Sequence, residues 1–175
     1  LDLDHMTGGL HKEQVVLIMG APEAGKTRLV LQIGLHAAMQ GYGVAIYELE
    51  MDKTRILMRM VEMLGGPTPR QMQRGKIENN QWEAFNGAIE TLERLPLFIS
   101  DSPSLTTAQL GADLARLQAT NDVSLAVLDY MNLLGDSDGK DDNERARLRS
   151  RRFRTICRDR RGAGLSVQSI NKAGM

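Results

Sequence analysis

A single cysteine, Cys157, among 175 residues excludes an intrachain disulfide and fits a reducing compartment, where it reads as a buried structural thiol. An excess of one charge is also lacking: 22 Lys and Arg offset 22 Asp and Glu. No overall field therefore draws the chain to nucleic acid or membrane, and any such attraction must come from local patches. Aromatics make up only 4%, which argues against single-strand binding on stacking platforms. No stretch approaches the ~20 apolar residues of a membrane span. Residues 1–10 are acidic and glycine-containing where a secretory signal needs a basic start and an apolar run. The expectation is a soluble, cytoplasmic protein with no membrane partner. His5, His11 and His36 stand apart from cysteines and paired carboxylates, so their spacing supplies no zinc site.

The chain is long enough for one sizeable core and leaves little for a second, so residues 1–175 are expected to form a single domain. Short runs rich in Val, Ile and Leu recur at residues 15–18, 44–47, 97–99, 124–128 and 165–167, as buried parallel strands do. Between them, residues 26–39, 53–64, 81–95 and 106–119 carry apolar side chains three and four apart, as helices covering a sheet require. The alternation predicts an α/β fold, a mainly parallel sheet flanked by helices. Residues 65–75, with Gly-Gly-Pro and a second proline, read as a surface excursion. Residues 135–143 are polar, acidic and without an apolar anchor, the best candidate for a mobile loop.

The strongest local signal is Gly20-Ala21-Pro22-Glu23-Ala24-Gly25-Lys26-Thr27, which has the P-loop pattern, follows an expected strand and opens an expected helix. In that setting backbone N–H groups of the loop and first helical turn converge on a phosphate. Lys26 neutralises the β- and γ-oxygens, Thr27 ligates Mg²⁺, and Arg28 follows in the first turn. A site that hydrolyses ATP also needs carboxylates at the carboxyl ends of neighbouring strands. Asp129 ends the run Leu125-Ala126-Val127-Leu128, where a Walker B aspartate reaches the metal shell. Glu50 follows the second strand and is placed to orient or deprotonate the attacking water, with Glu48 as its competitor. Alternation sends residues 48 and 50 to the same side, so spacing does not choose between them.

Several further stretches together resemble the C-terminal, RecA-like motor domain of DnaB-type replicative helicases, over nearly the whole chain. Residues 3–12 look like that family's approach to the P-loop. Leu49-Glu50-Met51 is similar to its Ser-Leu-Glu-Met motif, which favours Glu50 as the catalytic glutamate. Arg74-Gly75 through Trp82, and then residues 97–106 with Asp101-Ser102-Pro103, resemble its Gly…Trp segment and Ile-Asp-Asp-Thr-Pro turn. Leu128-Asp129-Tyr130-Met131-Asn132-Leu133 resembles the stretch that carries the Walker B aspartate. The resemblance implies a RecA-like P-loop ATPase that takes ATP and Mg²⁺ and forms a hexameric ring of identical chains. It also implies translocation on single-stranded DNA, with primase or a helicase loader as further partners and a bacterial or phage origin.

Three departures from the family accompany it. Glu23 occupies a P-loop position where the family has glycine; a left-handed backbone there would cost a non-glycine residue roughly 1–2 kcal/mol. In Gln168-Ser169-Ile170-Asn171-Lys172, Ser169 takes the place of the glutamine that senses the γ-phosphate. Gln168 is adjacent, but a one-residue slip turns it to the opposite face of a strand. Third, the family's arginine finger and main DNA-contacting loop lie beyond Met175, so slow hydrolysis is expected of this chain alone. Other P-loop ATPases on this scaffold, a recombinase or a clock-type ATPase, are the alternatives among enzymes, and a non-hydrolysing nucleotide-binding module is the alternative outside them.

From residue 145 to 161 arginines crowd a segment with Ala146, Leu148, Phe153, Ile156 and Cys157 interspersed, the pattern of a helix with a narrow apolar stripe. Its cations are read first as a solvated or interface face and second as a DNA contact. Met51, Met58, Met60 and Met63 read as core or interface filler, and Trp82 as a packing anchor.

Overall fold

The computed structural model of the chain describes His5 and residues 8–169. Within them five strands form one sheet: β1 (Val15–Gly20), β2 (Gly43–Glu48), β3 (Leu97–Ser100), β4 (Val123–Asp129) and β5 (Ala163–Ser169). Their order is β1-β5-β4-β2-β3 and every pairing is parallel. Parallel strands are covered on both faces, which is why β2 and β4 read as nearly unbroken apolar runs.

On one face lies α1 (Lys26–Met39), whose Val30, Leu31, Leu35 and Ala38 pack on Ile46, Val127 and Leu165, with Ile56 and Met60 of α2 (Lys53–Met63) joining them. The opposite face carries α5 (Thr107–Thr120) and α6 (Asp142–Asp159). Leu110 and Leu114 of the first, and Phe153 and Cys157 of the second, pack on Tyr47, Ala126 and Leu128. Even-numbered β2 residues and odd-numbered β4 and β5 residues thus face α1.

The remaining helices, α3 (Pro69–Gln73) and α4 (Trp82–Arg94), lie beside α2. The excursion at 65–75 therefore contains a short helix. It starts where Thr68 and Gln71 form a reciprocal cap ahead of Pro69, a local device that needs no buried face. Trp82 stacks edge-on against Phe85, 5.7 Å between centroids, and stays 47% exposed, less buried than a packing anchor requires. Cys157 is fully buried, as its solitary, apolar context predicts.

The polar loop after β4 has an anchor, and it is charged. Asp136 accepts hydrogen bonds from the Thr107 backbone and hydroxyl, at 2.9 and 2.6 Å, and from Arg152 at 3.0 Å. Arg149 donates to the carbonyls of Asn132 and Asp136. Of the arginines read from the sequence as a solvated or interface face, or a DNA contact, Arg149 and Arg152 hold the chain's own loop, while Arg147, Arg151 and Arg154 stay exposed, at helical spacing of four and three. No helix among the described residues is long and apolar enough to cross a membrane.

Candidate nucleotide site

Because all five strands run the same way, their carboxyl ends share one edge of the sheet, and Gly20, Glu48, Asp129 and Ser169 sit along it. Ligands of open α/β sheets bind at that edge.

The P-loop leaves β1 there. Ala21, Pro22, Glu23, Ala24 and Gly25 are exposed, and Gly25 caps α1 in the left-handed region at φ 83. The Lys26 stem packs beside Gly20: a Cβ there would lie 3.5 Å from the lysine's Cδ, an ordinary contact. Lys26 is 5% exposed. Its ammonium donates to the Ala21 carbonyl at 2.6 Å and stands 5.8 Å from the centre of the Tyr130 ring. Lys26 thus reaches back to the loop it follows, beneath the exposed residues 21–25. Glu23 does adopt the left-handed backbone, at φ 61, and its exposed carboxylate makes no hydrogen bond or ion pair among the described residues. Arg28 is drawn away from the loop towards Glu62 of α2, at 3.7 Å.

Behind Lys26 lie the carboxylates. Asp129 is fully buried and neither of its oxygens has a well-formed hydrogen bond. Burial raises its carboxyl above the ordinary range; the Thr27 hydroxyl beside it acts the other way, the Glu50 charge adds to the rise, and Lys26 and Arg59 oppose it. Glu48 stands in register with Asp129 on the neighbouring strand and is 1% exposed. Burial, and then the charge of Asp129, push its carboxyl up to about 8. Two buried acids side by side, with a hydroxyl and a lysine near, form a donor set suited to a hard divalent cation.

The structure separates Glu48 from Glu50. β2 ends at Glu48 and the chain bends over the next two residues, so strand alternation no longer governs residue 50. Glu50 is exposed at the rim, while Glu48 is sealed beneath it and accepts the Glu50 and Met51 N–H groups at 3.2 and 3.3 Å. A residue that handles an attacking water needs access to it, and of the two only Glu50 reaches solvent.

On β5, Ser169 pairs with Gly20 and shares the α1 face with Leu165 and Val167, whereas Gln168 is on the other face. Adjacency in sequence therefore does not bring Gln168 to the P-loop. Residues 170–172 of that segment lie outside the described residues. The Asp101 turn has a structural role, since its Oδ2 accepts the Lys53 N–H at 2.8 Å and so fixes the start of α2 behind Glu50. Tyr130 and Arg59 were not singled out from the sequence. Tyr130 is adjacent to Asp129, a usable signal, but Arg59 comes near only because α2 folds back along α1.

A parallel sheet with a P-loop after its first strand and acids at the ends of its neighbours defines a P-loop nucleotide-binding fold of the RecA-like class. Residues 1–170 match the model of the DnaB-like helicase C terminal domain family, and the chain belongs to that family. It is 33% identical over 136 residues to replicative DNA helicase DnaB of Nostoc sp., an alignment covering 76% of this chain and 16% of that protein. It is 25% identical over 175 residues to DnaB of Geobacillus stearothermophilus, covering 98% of this chain and 38% of that one. The chain thus spans well under half the length of these relatives. Among solved structures, an ATPase domain superposes with a TM-score of 0.91 at 20% identity, over 98% of this chain and 62% of that one. A DnaB-like replicative helicase studied with primase gives 0.90 at 20% identity, over 98% and 42%. These likenesses establish the fold.

Proposed function

We propose that the protein is the ATP-hydrolysing motor of a replicative DNA helicase, working in the cytoplasm as a ring of identical subunits, a hexamer, that moves along single-stranded DNA. The observation that carries this reading is the convergence of Lys26, Thr27, Glu50 and Asp129 at one edge of a parallel sheet, in a member of the DnaB-like family. The family match and the Trp82 and Asp101-Ser102-Pro103 stretches favour it over a recombinase or a clock-type ATPase.

In this site the backbone N–H groups of residues 23–27 and the Lys26 ammonium hold the phosphates of ATP. Thr27 and Asp129 hold Mg²⁺, which when bound neutralises charge on the β- and γ-phosphoryl oxygens. Glu50 orients the water in line with the γ-phosphorus and accepts its proton. The P-loop lies exposed at the rim, so a neighbouring subunit has access to supply the further cation, a contribution of about 10³–10⁵ in turnover in comparable enzymes. Ser169, facing the same side, replaces the sensing amide by a shorter hydroxyl. Primase is the protein partner that a structural neighbour suggests, and a helicase loader the one that the family resemblance implies.

The test is ATP turnover at high protein concentration, with and without single-stranded DNA, for the unmodified chain, Lys26→Ala and Glu50→Gln. DNA-stimulated turnover lost in both variants is expected. Nucleotide binding with turnover no faster than that of Glu50→Gln would remove the catalytic assignment.

A further inference from the structure

We propose that Glu48 is a positioning residue of this site, which holds the Glu50 turn with one carboxylate oxygen and presents the other, beside Asp129, to the water shell of the divalent cation.

Two observations carry it independently. Glu48 Oε1 accepts both the Glu50 and the Met51 N–H groups, at 3.2 and 3.3 Å, so the backbone leading into the proposed general base is tied to this side chain. Glu48 Oε2, by contrast, is buried without a well-formed hydrogen bond, and so are both oxygens of Asp129. The two residues are register partners on adjacent parallel strands, about 4.8 Å apart along the hydrogen-bonding direction, with side chains on one face. Buried carboxylate oxygens without well-formed hydrogen bonds are costly, and three in one place are relieved either by a proton or, when one is bound, by a cation. Lys26 is engaged by Ala21, and no group of three His, Cys, Asp or Glu side chains that could hold a metal alone is assembled among the described residues. Thr27 and Asp129 would hold the ion together with phosphate oxygens, and Glu48 would accept hydrogen bonds from its waters. In the motif this stretch resembles, serine stands at this position; a hydroxyl can accept the same N–H groups but carries no charge.

The inference rests on the ATPase reading, and its test keeps the two apart. Mn²⁺ is titrated into the chain saturated with a non-hydrolysable ATP analogue, free Mn²⁺ being followed by electron paramagnetic resonance, for the unmodified chain, Glu48→Gln and Glu48→Ser. Analogue affinity is measured separately in EDTA. Both variants retain an acceptor for the Glu50 turn, and thermal melts check that each folds. Mn²⁺ affinity is expected to fall about tenfold in both, in the range for groups outside the inner ligand set, with analogue affinity in EDTA unchanged. Mn²⁺ affinity within twofold of the unmodified chain in whichever variant folds overturns the role of Glu48 and leaves the ATPase reading standing. Absence of Mn²⁺-dependent analogue binding in the unmodified chain sinks both.

Discussion

Gly164 of β5 lies so close beneath α6 that a Cβ there would stand 2.7 Å from Cys157 Sγ, and 2.7 Å from Val15 on the neighbouring strand. The helix rests on the sheet with no space for one methyl group. Gly164→Ala is therefore expected to destabilise the chain by about 1–3 kcal/mol through overpacking, read as a lower melting temperature. The same variant should expose the thiol. In the unmodified chain burial pushes Cys157 up to about 12, leaving almost no thiolate to react at neutral pH. Labelling of Cys157 by a thiol reagent should be slow in the native chain and faster in Gly164→Ala. Equal melting and equal labelling would mean that the helix–sheet contact is looser than described.

Asp136 gives a dependence on pH with a definite sign. Burial alone would raise its carboxyl, but the hydrogen bonds from Thr107 and Arg152 outweigh burial and hold it below the ordinary carboxylate range. An acid depressed in the fold adds stability that is present above its unfolded pKa, near 3.8, and lost as pH falls through the lower folded value. Asp136→Asn should cost about 1–3 kcal/mol at pH 7, the worth of charged hydrogen bonds in a mostly buried setting. The gap to the unmodified chain should narrow below about pH 4. Melting curves from roughly pH 2.5 to 7, spanning the carboxylate range, make the comparison; a gap of constant size would show that shape, not charge, anchors the loop.

Glu23→Gly isolates the one P-loop residue that works against its own backbone. Relief of the left-handed strain is worth roughly 1–2 kcal/mol, and the extra freedom of glycine in the unfolded chain takes back about 0.4–1 kcal/mol. A net gain of up to about 1.6 kcal/mol is expected, with tighter binding of an ATP analogue because an exposed carboxylate has left the phosphate rim. The binding gain should shrink with added salt, which screens exposed charges. A variant that is less stable and binds no better would show that Glu23 has a favourable contact of its own.

Much of the scaffold is legible in the sequence because parallel strands and their covering helices carry strong, separate periodicities. The helix at residues 26–39 has the ends that its spacing gives, and all five strands run a residue or two beyond their apolar cores. Those extra positions are mostly glycine, small or polar residues, such as Gly20, Gly43, Glu48, Ser100 and Ser169, which carry no strand signal of their own. Where the reading falls short, local pattern is not the cause of structure. The five-residue helix α3 buries nothing and so leaves no period to detect. The start of α6 is set by the Asp141 side chain accepting the Glu144 N–H, ahead of the arginine-rich stretch that marks the segment in the sequence. The loop at 135–143 reads as unanchored because only apolar anchors are sought in sequence, whereas its partners are Thr107 and the later arginines.

By itself the sequence determined where the proposed phosphate seat lies, because that pattern is contained in eight consecutive residues whose amides, lysine and hydroxyl can act together where a strand runs into a helix. Tertiary structure alone decided how the acids divide their work. Only the pairing of β2 with β4, and the point at which β2 bends away, bury Glu48 against Asp129 and leave Glu50 at the rim, because solvation and neighbouring charge depend on residues far apart in the chain.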